Sequence, residues 1–181
     1  MDLNWKLNKT EHIVQDEWID FRKESFILPD GKEFLPFYNY SRRNFVVIIA
    51  KTKDGKYITV RQFRHGLKKV TTEFCAGGIE GSEHESALLA AKRELEEETG
   101  YISDNWKHIY TIPSNPTIAD NYAFLYYADN CEKVSNQHLD STEFLEVKEY
   151  TEDEINDLIK NNEFVQPIHL MGWLMVKKGV L

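Results

Sequence analysis

Polar and apolar positions alternate with period two early in the chain. Trp18, Asp20, Arg22 and Glu24 interleave with Ile19, Phe21, Lys23 and Ser25, the run continues into Phe26-Ile27-Leu28, and Pro29-Asp30-Gly31 follows. That pattern predicts a strand closed by a turn. A second, aromatic-rich strand is predicted from Phe34 to Tyr40. Asn44 to Ala50 then forms an unbroken apolar run, as a strand covered on both faces requires. Asp54-Gly55 marks a hairpin into Tyr57–Phe63. Further strands are predicted at Thr71–Phe74, Trp106–Ile112, Tyr122–Ala128 and Phe144–Tyr150.

Elsewhere the period lengthens to that of a helix. A long central helix is predicted from about Glu83 to Thr99, with Ser82-x-x-Glu85 as a capping box and Gly100 in the terminating position. A second opens at Thr151-x-x-Glu154 and carries Ile155, Leu158 and Ile159 on one face. A third covers roughly Pro167 to Val176. Strands first, a central helix, more strands and two terminal helices describe an α+β chain with a mixed sheet sandwiched between helices, not a regular βαβ winding. Residues 1–43 read as a small N-terminal β unit and 44–181 as the main domain. No internal repeat or low-complexity linker interrupts them.

Composition narrows the function classes. The chain has 181 residues, 41% of them hydrophobic, and a formal charge of −8. That length fits one domain with a small appendage and buries enough core without disulfides. An acidic chain gains little from counterion release on polymeric nucleic acid. No apolar run reaches the length of a membrane span, and Met1-Asp2-Leu3-Asn4-Trp5-Lys6 lacks the order of a secretory signal. Cys75 and Cys131 are too few for a disulfide scaffold and have no metal-ligand spacing. A reducing cytoplasm is the expected compartment. The histidines (His12, His65, His84, His108, His138 and His169) show no ligand spacing, so each defaults to a structural or surface role.

The chemistry concentrates in Gly77-Gly78-Ile79-Glu80 and in Arg93-Glu94-Leu95-Glu96-Glu97-Glu98-Thr99-Gly100. On a helix at ~100° per residue, with Glu94 at the origin, Glu98 falls at about +40° and Glu97 at about −60°. Arg93 lies one turn before Glu97 and can pair with it. Leu88, Ala91 and Leu95 fall at roughly 60–120°. The acidic stripe therefore borders the buried face, and desolvated like charges repel. A divalent cation reverses that sign, and hard oxygen ligands suit Mg²⁺ or Mn²⁺. Taken alone, a Glu-rich helix is a solvated face.

Taken whole, the pattern resembles the signature of the Nudix hydrolases, Gly-x5-Glu-x7-Arg-Glu-U-x-Glu-Glu-x-Gly-U, with U apolar. Arg93, Glu94, Leu95, Glu97, Glu98 and Gly100 occupy its fixed places, and Glu85 stands seven intervening residues before Arg93. Seven residues, not five, separate Gly77 from Glu85, which lengthens the loop at Gly81-Ser82-Glu83-His84, and Tyr101 stands where an aliphatic residue is usual. The resemblance extends from about Trp18 to Leu174. Val60-Arg61-Gln62-Phe63-Arg64 looks like the Gln-aromatic-Arg strand of the ADP-ribose pyrophosphatase branch. Ala76-Gly77 matches as well, although Cys75 replaces the branch's proline and reads as a packing residue. Leu139–Val147 resembles the branch's loop-to-strand segment that carries a catalytic glutamate, here Glu143. Ser114–Asn121 lacks the acidic Ser-Asp-Glu-type sequence of ADP-ribose-specific members.

The resemblance implies a Nudix fold and Mg²⁺-dependent hydrolysis of the pyrophosphate bond of a nucleoside diphosphate derivative, ADP-ribose or another nucleotide sugar. It implies metal ligation by Glu94, Glu97, Glu98 and the Ala76 carbonyl, with Mn²⁺ a possible substitute. Glu143 is the expected proton acceptor, Arg93 orients Glu97, and Arg64 contacts a phosphate; a surface ion pair is the alternative role for Arg64. It further implies a homodimer in which Trp18, and with it Phe37, stacks on the base; core packing is the alternative for Phe37. Two other functions occur among proteins with this domain: a hydrolase of modified nucleoside triphosphates, whose minimal members are shorter, and a non-catalytic nucleotide-sugar sensor, which usually has a separate DNA-binding domain and often a decayed box.

Overall fold

The computed structural model describes residues 2–80 and 86–179. Its elements are β1 (Lys6–Gln15), β2 (Asp20–Ile27), β3 (Glu33–Ser41), β4 (Phe45–Thr52), β5 (Tyr57–Arg64), β6 (Lys69–Glu73), β7 (Cys75–Gly78), α1 (Ala87–Thr99), β8 (Tyr101–Ile102), β9 (Asn105–Pro113), β10 (Tyr122–Lys133), β11 (Leu145–Tyr150), α2 (Glu152–Lys160) and α3 (Pro167–Lys177). Every strand and helix expected from the pattern is present. The pattern did not single out β1, β7 or the two-residue β8, which are polar, glycine-containing or too short to show a period.

The chain divides into two compact units. The smaller comprises Met1–Arg43 and Pro113–Tyr122, so a downstream loop joins the N-terminal strands. Its antiparallel sheet runs β1-β2-β3. The loop is bound by the Tyr40 N–H to the Ile118 carbonyl at 2.8 Å, and by Arg22 to Asp120 at 3.1 Å. Trp5, Phe26, Phe34 and Phe37 form an aromatic cluster, with ring centroids 5.1 Å apart for Phe34–Phe37 and 5.4 Å for Trp5–Phe37. Trp18, ahead of β2, stays 61% exposed, with the Arg43 guanidinium 5.2 Å from its ring centre.

The larger unit is built on a mixed sheet. Its central path is β11-β5-β4-β10-β8, with β6 on β5, β7 on β4 and β9 on β10. The β4–β10 pair is parallel, and β4 runs antiparallel to β5 and β7. Side chains alternate across β4, so its apolar run feeds two cores. Val46, Ile48 and Ala50 meet Ala90, Ala91 and Leu95 of α1 on one face. Val47 and Ile49 meet Ile155 of α2, Phe164 and Trp173 of α3 on the other. This is the sandwich predicted from the continuous apolar run. Among the described residues, no helix is long and apolar enough to cross a membrane.

Helix ends follow local chemistry. Ser86 caps α1, its hydroxyl accepting the Leu89 N–H, so the helix begins later than expected; the Ser82-x-x-Glu85 box and the Gly81–His84 loop lie outside the described residues. Gly100 closes α1 at φ 74°. A Cβ there would stand 2.2 Å from the Ser135 carbonyl oxygen, so close approach as well as the left-handed backbone requires glycine. The expected Thr151–Glu154 capping box is formed at α2.

Candidate active site

The acidic stripe sits where helical geometry placed it. Glu94 and Glu98 are 8% and 4% exposed, while Glu97 is half-exposed. Arg93 Nη1 lies 2.9 Å from both Glu94 Oε1 and Glu97 Oε2, and its Nη2 donates to the Gly78 carbonyl at 3.0 Å. One guanidinium thus ties two carboxylates of α1 to Gly78, the last residue of β7. The expected Arg93–Glu97 pair is formed, and Glu94 shares it.

Strand β7 closes over the same carboxylates. The Ala76 N–H donates to Glu98 Oε2 at 3.3 Å. A Cβ on Gly77 would lie 1.9 Å from the Glu94 carboxyl carbon, so the Glu94 head fills the space where any other residue would carry a side chain. Gly77 is required by that close approach, not by a turn.

Burial pushes the Glu98 carboxyl up to about 8, and the charges of Glu94 and Glu143 push the same way against hydrogen bonds from the Cys75 thiol and the Ala76 N–H. Burial likewise pushes Glu94 up to about 7, with Arg93 pulling it down and Glu97 and Glu143 raising it further. Cys75 is fully buried and its thiol is held well above the ordinary range, first by burial and then by Glu98 and Glu94. It is a packing residue in this structure.

Glu143 reaches this field from the loop before β11. Its Oε2 accepts the Asp140 N–H at 3.0 Å, and its own N–H donates to the Asp140 carbonyl at 2.9 Å. The loop is anchored to the end of α1 by the His138 N–H on the Glu97 carbonyl and by Gln137 Nε2 on the Glu98 carbonyl, both at 2.8 Å. Gln137 and His138 are site residues that the sequence pattern missed. They act through geometry, with no motif of their own.

A divalent cation fits this donor set. The oxygens are hard and carboxylate-rich, and the glycine cradle leaves room for the Glu94 head. Burial, the first cause that raises both carboxyls, makes their ionised forms costly in a way that a cation offsets. Among the described residues, no three acidic, histidine or cysteine side chains already stand in coordination geometry. Glu94 and Glu97 turn instead to Arg93.

Arg64, at the end of β5, is bound to Glu73: Nε and Nη2 each lie 2.7 Å from Glu73 Oε1. Glu73 is fully buried, and burial raises its carboxyl while Arg64 lowers it. His169 of α3 is buried nearby, accepts the Phe74 N–H at 3.2 Å on Nδ1, and is held neutral, pushed down to about 3 first by burial and then by the Arg64 charge. The sequence signal for Glu73 was a lone carboxylate in the run Val70-Thr71-Thr72-Glu73-Phe74-Cys75. Trp18 and Phe37 belong to the smaller unit, Phe37 inside its aromatic cluster.

The sheet between helical layers, with buried carboxylates of one helix under a glycine strand, defines a protein equipped to handle a cation and an anionic substrate together. The NUDIX domain model matches residues 40–169. The chain belongs to the Nudix family and is a Nudix hydrolase; enzymes of this family generally use a divalent metal. It is 32% identical over 180 residues to the ADP-ribose pyrophosphatase of Bacillus subtilis (strain 168), covering 94% of this chain and 92% of that protein. It is 33% identical over 162 residues to the methanol dehydrogenase activator of Bacillus methanolicus, covering 86% and 83% respectively. A crystal structure of an ADP compounds hydrolase superimposes with a TM-score of 0.86 at 18% identity, covering 99% of this chain and 96% of that one, a likeness of fold.

Proposed function

We propose that this enzyme hydrolyses the pyrophosphate bond of a nucleotide sugar, ADP-ribose first among them, to a nucleoside monophosphate and a sugar phosphate. The observation that carries this reading is the pair of desolvated carboxylates, Glu94 and Glu98, held against Gly77 and the Ala76 N–H. The relative that covers nearly the whole chain at 32% identity is named for ADP-ribose.

Glu94, Glu97, Glu98 and the Ala76 carbonyl would hold the cation, and Mg²⁺ is the metal that an all-oxygen set suits, with Mn²⁺ a substitute. When bound, the cation offsets the charge of the diphosphate and acidifies water at the site. Arg93 fixes Glu97 and Glu94 relative to Gly78 of β7, which keeps both heads oriented. Glu143 accepts the proton of the attacking water, for which its carboxylate exchanges the Asp140 N–H for water. Arg64 binds a phosphate oxygen and offsets charge as the bridging bond breaks.

The smaller unit supplies base contacts and the interface of a homodimer. Support comes from its exposed apolar surface, including Trp5, Leu7, Trp18, Phe34 and Leu35, which is more than a three-stranded sheet leaves open by itself. Trp18 stacks on the base; Phe37, the second stacking candidate, has its ring among Trp5, Phe26 and Phe34, the packing role that was its alternative. The two cysteines are free and buried, which suits the reducing cytoplasm.

A hydrolysis screen with the products resolved by chromatography tests the assignment, using nucleotide sugars, dinucleotides and nucleoside triphosphates with Mg²⁺ and with Mn²⁺. ADP-ribose is expected to be turned over fastest, yielding AMP and ribose 5-phosphate. Preference for a triphosphate, or binding of ADP-ribose without turnover, would overturn it.

A further inference from the structure

Strands β5 and β6 form an antiparallel pair in which Val60 faces Glu73, Gln62 faces Thr71 and Arg64 faces Lys69. Alternation puts Gln62, Arg64, Thr71 and Glu73 on one face. Arg64 folds back along its own strand to reach Glu73. The amides of Gln62 and of Gln166, the residue that opens α3, also approach this carboxylate. Even so, Glu73 Oε2 and Thr71 Oγ1 are buried without hydrogen-bond partners among the described residues.

Stability does not account for this arrangement. A fully buried carboxylate costs several kcal/mol in desolvation, and an apolar side chain of similar volume at such a site is often neutral or stabilising. Nor does Arg64 need an acid to be tolerated, because its side chain keeps 34% of its surface exposed. What the pair does achieve is geometric. Both Nε and Nη2 are taken by one oxygen, and Nη1 makes no hydrogen bond to the described residues. A guanidinium held by one edge has its other edge fixed in direction, and that outer edge is the one able to take a phosphate through two parallel bonds.

We infer that Glu73 is a positioning residue for substrate phosphate: it grips Arg64 by the Nε–Nη2 edge and thereby presents the Nη1 side to the diphosphate. The inference rests on the reading of Arg64 as a phosphate contact. Glu73 touches no substrate. It lowers the ordering cost of a long, flexible side chain before substrate arrives.

The experiment compares kcat and KM for ADP-ribose with Mg²⁺ in Glu73→Met, Glu73→Gln, Arg64→Ala and the double variant Glu73→Met/Arg64→Ala, alongside thermal unfolding of each. Methionine fills the volume of glutamate without an acceptor. Glu73→Met is expected to hold or raise the thermal midpoint while kcat/KM falls at least about tenfold, the size of one charge-assisted hydrogen bond. Glu73→Gln, which keeps an acceptor oxygen, restores most of that loss. In the Arg64→Ala background, Glu73→Met lowers kcat/KM no further. An equal fall in both backgrounds, or no fall in either, overturns the inference while leaving Arg64 in place. If Arg64→Ala itself leaves kcat/KM unchanged, the phosphate-contact reading fails first and the inference with it. Should Glu73→Met not fold, Glu73→Ala repeats the comparison in both backgrounds under the same criteria.

Discussion

Replacing Glu98 with glutamine separates the cost of the buried charge from its use. Its carboxyl is raised from 4.5 to about 8, with burial as the leading cause. Because the folded-state value lies above the unfolded one, the contribution of this group to stability is fully present below about 4.5 and is lost as pH rises through about 8. Each pH unit across that window removes up to about 1.4 kcal/mol, so ionisation costs the metal-free fold on the order of 4 kcal/mol by pH 9. In a chain of this size that corresponds to roughly 10 °C in Tm. Glutamine mimics the protonated acid, keeps an acceptor for the Ala76 N–H and never ionises. In EDTA, Glu98→Gln and wild type should therefore unfold together at pH 5, while at pH 9 the variant should melt higher. Glu94, raised to about 7 with burial first, adds its own decline in both proteins, so the difference between them reports Glu98. Excess Mg²⁺ should then stabilise wild type, by about 2.7 kcal/mol at a hundredfold excess over Kd, and the variant much less, and turnover should vanish in the variant. Identical melting of the two proteins at pH 9 would refute the desolvation argument, and retained activity would refute the metal assignment.

Glu143→Gln should lower kcat by roughly 10²–10⁴-fold with little effect on metal-induced stabilisation; if steady-state kinetics show kcat almost unchanged, Glu146 and Asp140 are the carboxylates to test next. Gly77→Ala places a Cβ 1.9 Å from the Glu94 carboxyl carbon, so activity and Mg²⁺-dependent stabilisation should both fall sharply, and normal turnover would show that the cradle is not needed. Light scattering should give about twice the 21.3 kDa chain mass, and a monomer at micromolar concentration would remove the dimer. Trp18→Ala should raise KM by ~1–3 kcal/mol equivalent, the value of one base stack, without monomerising the protein; loss of the dimer would instead mark Trp18 as an interface residue.

The scaffold and the orientation of the acidic helix are legible in local pattern alone. The unbroken run at Phe45–Ala50 requires cover on both faces, and β4 has it. The 100° step of a helix puts Glu94 and Glu98 beside Ala91 and Leu95, and those two carboxylates are the buried ones. Capping chemistry at Thr151 and termination at Gly100 are equally local, so they could be read in advance.

What each carboxylate touches is set by packing between elements. That Gly77 serves the Glu94 head, and not a turn, depends on how closely β7 approaches α1. Arg64 carried two readings in the sequence, and the ion pair with Glu73 arises because register and α3 bury that acid beside it. The same holds for Gln137 and His138, which bind carbonyls about forty residues away at the end of α1. Pro113–Tyr122 joins the N-terminal strands through pairings across the sequence that no local pattern records. Periodicity encodes which face of an element is apolar. Desolvation, hydrogen-bond partnership and charge coupling depend on distances between elements, and those exist only once the chain is packed.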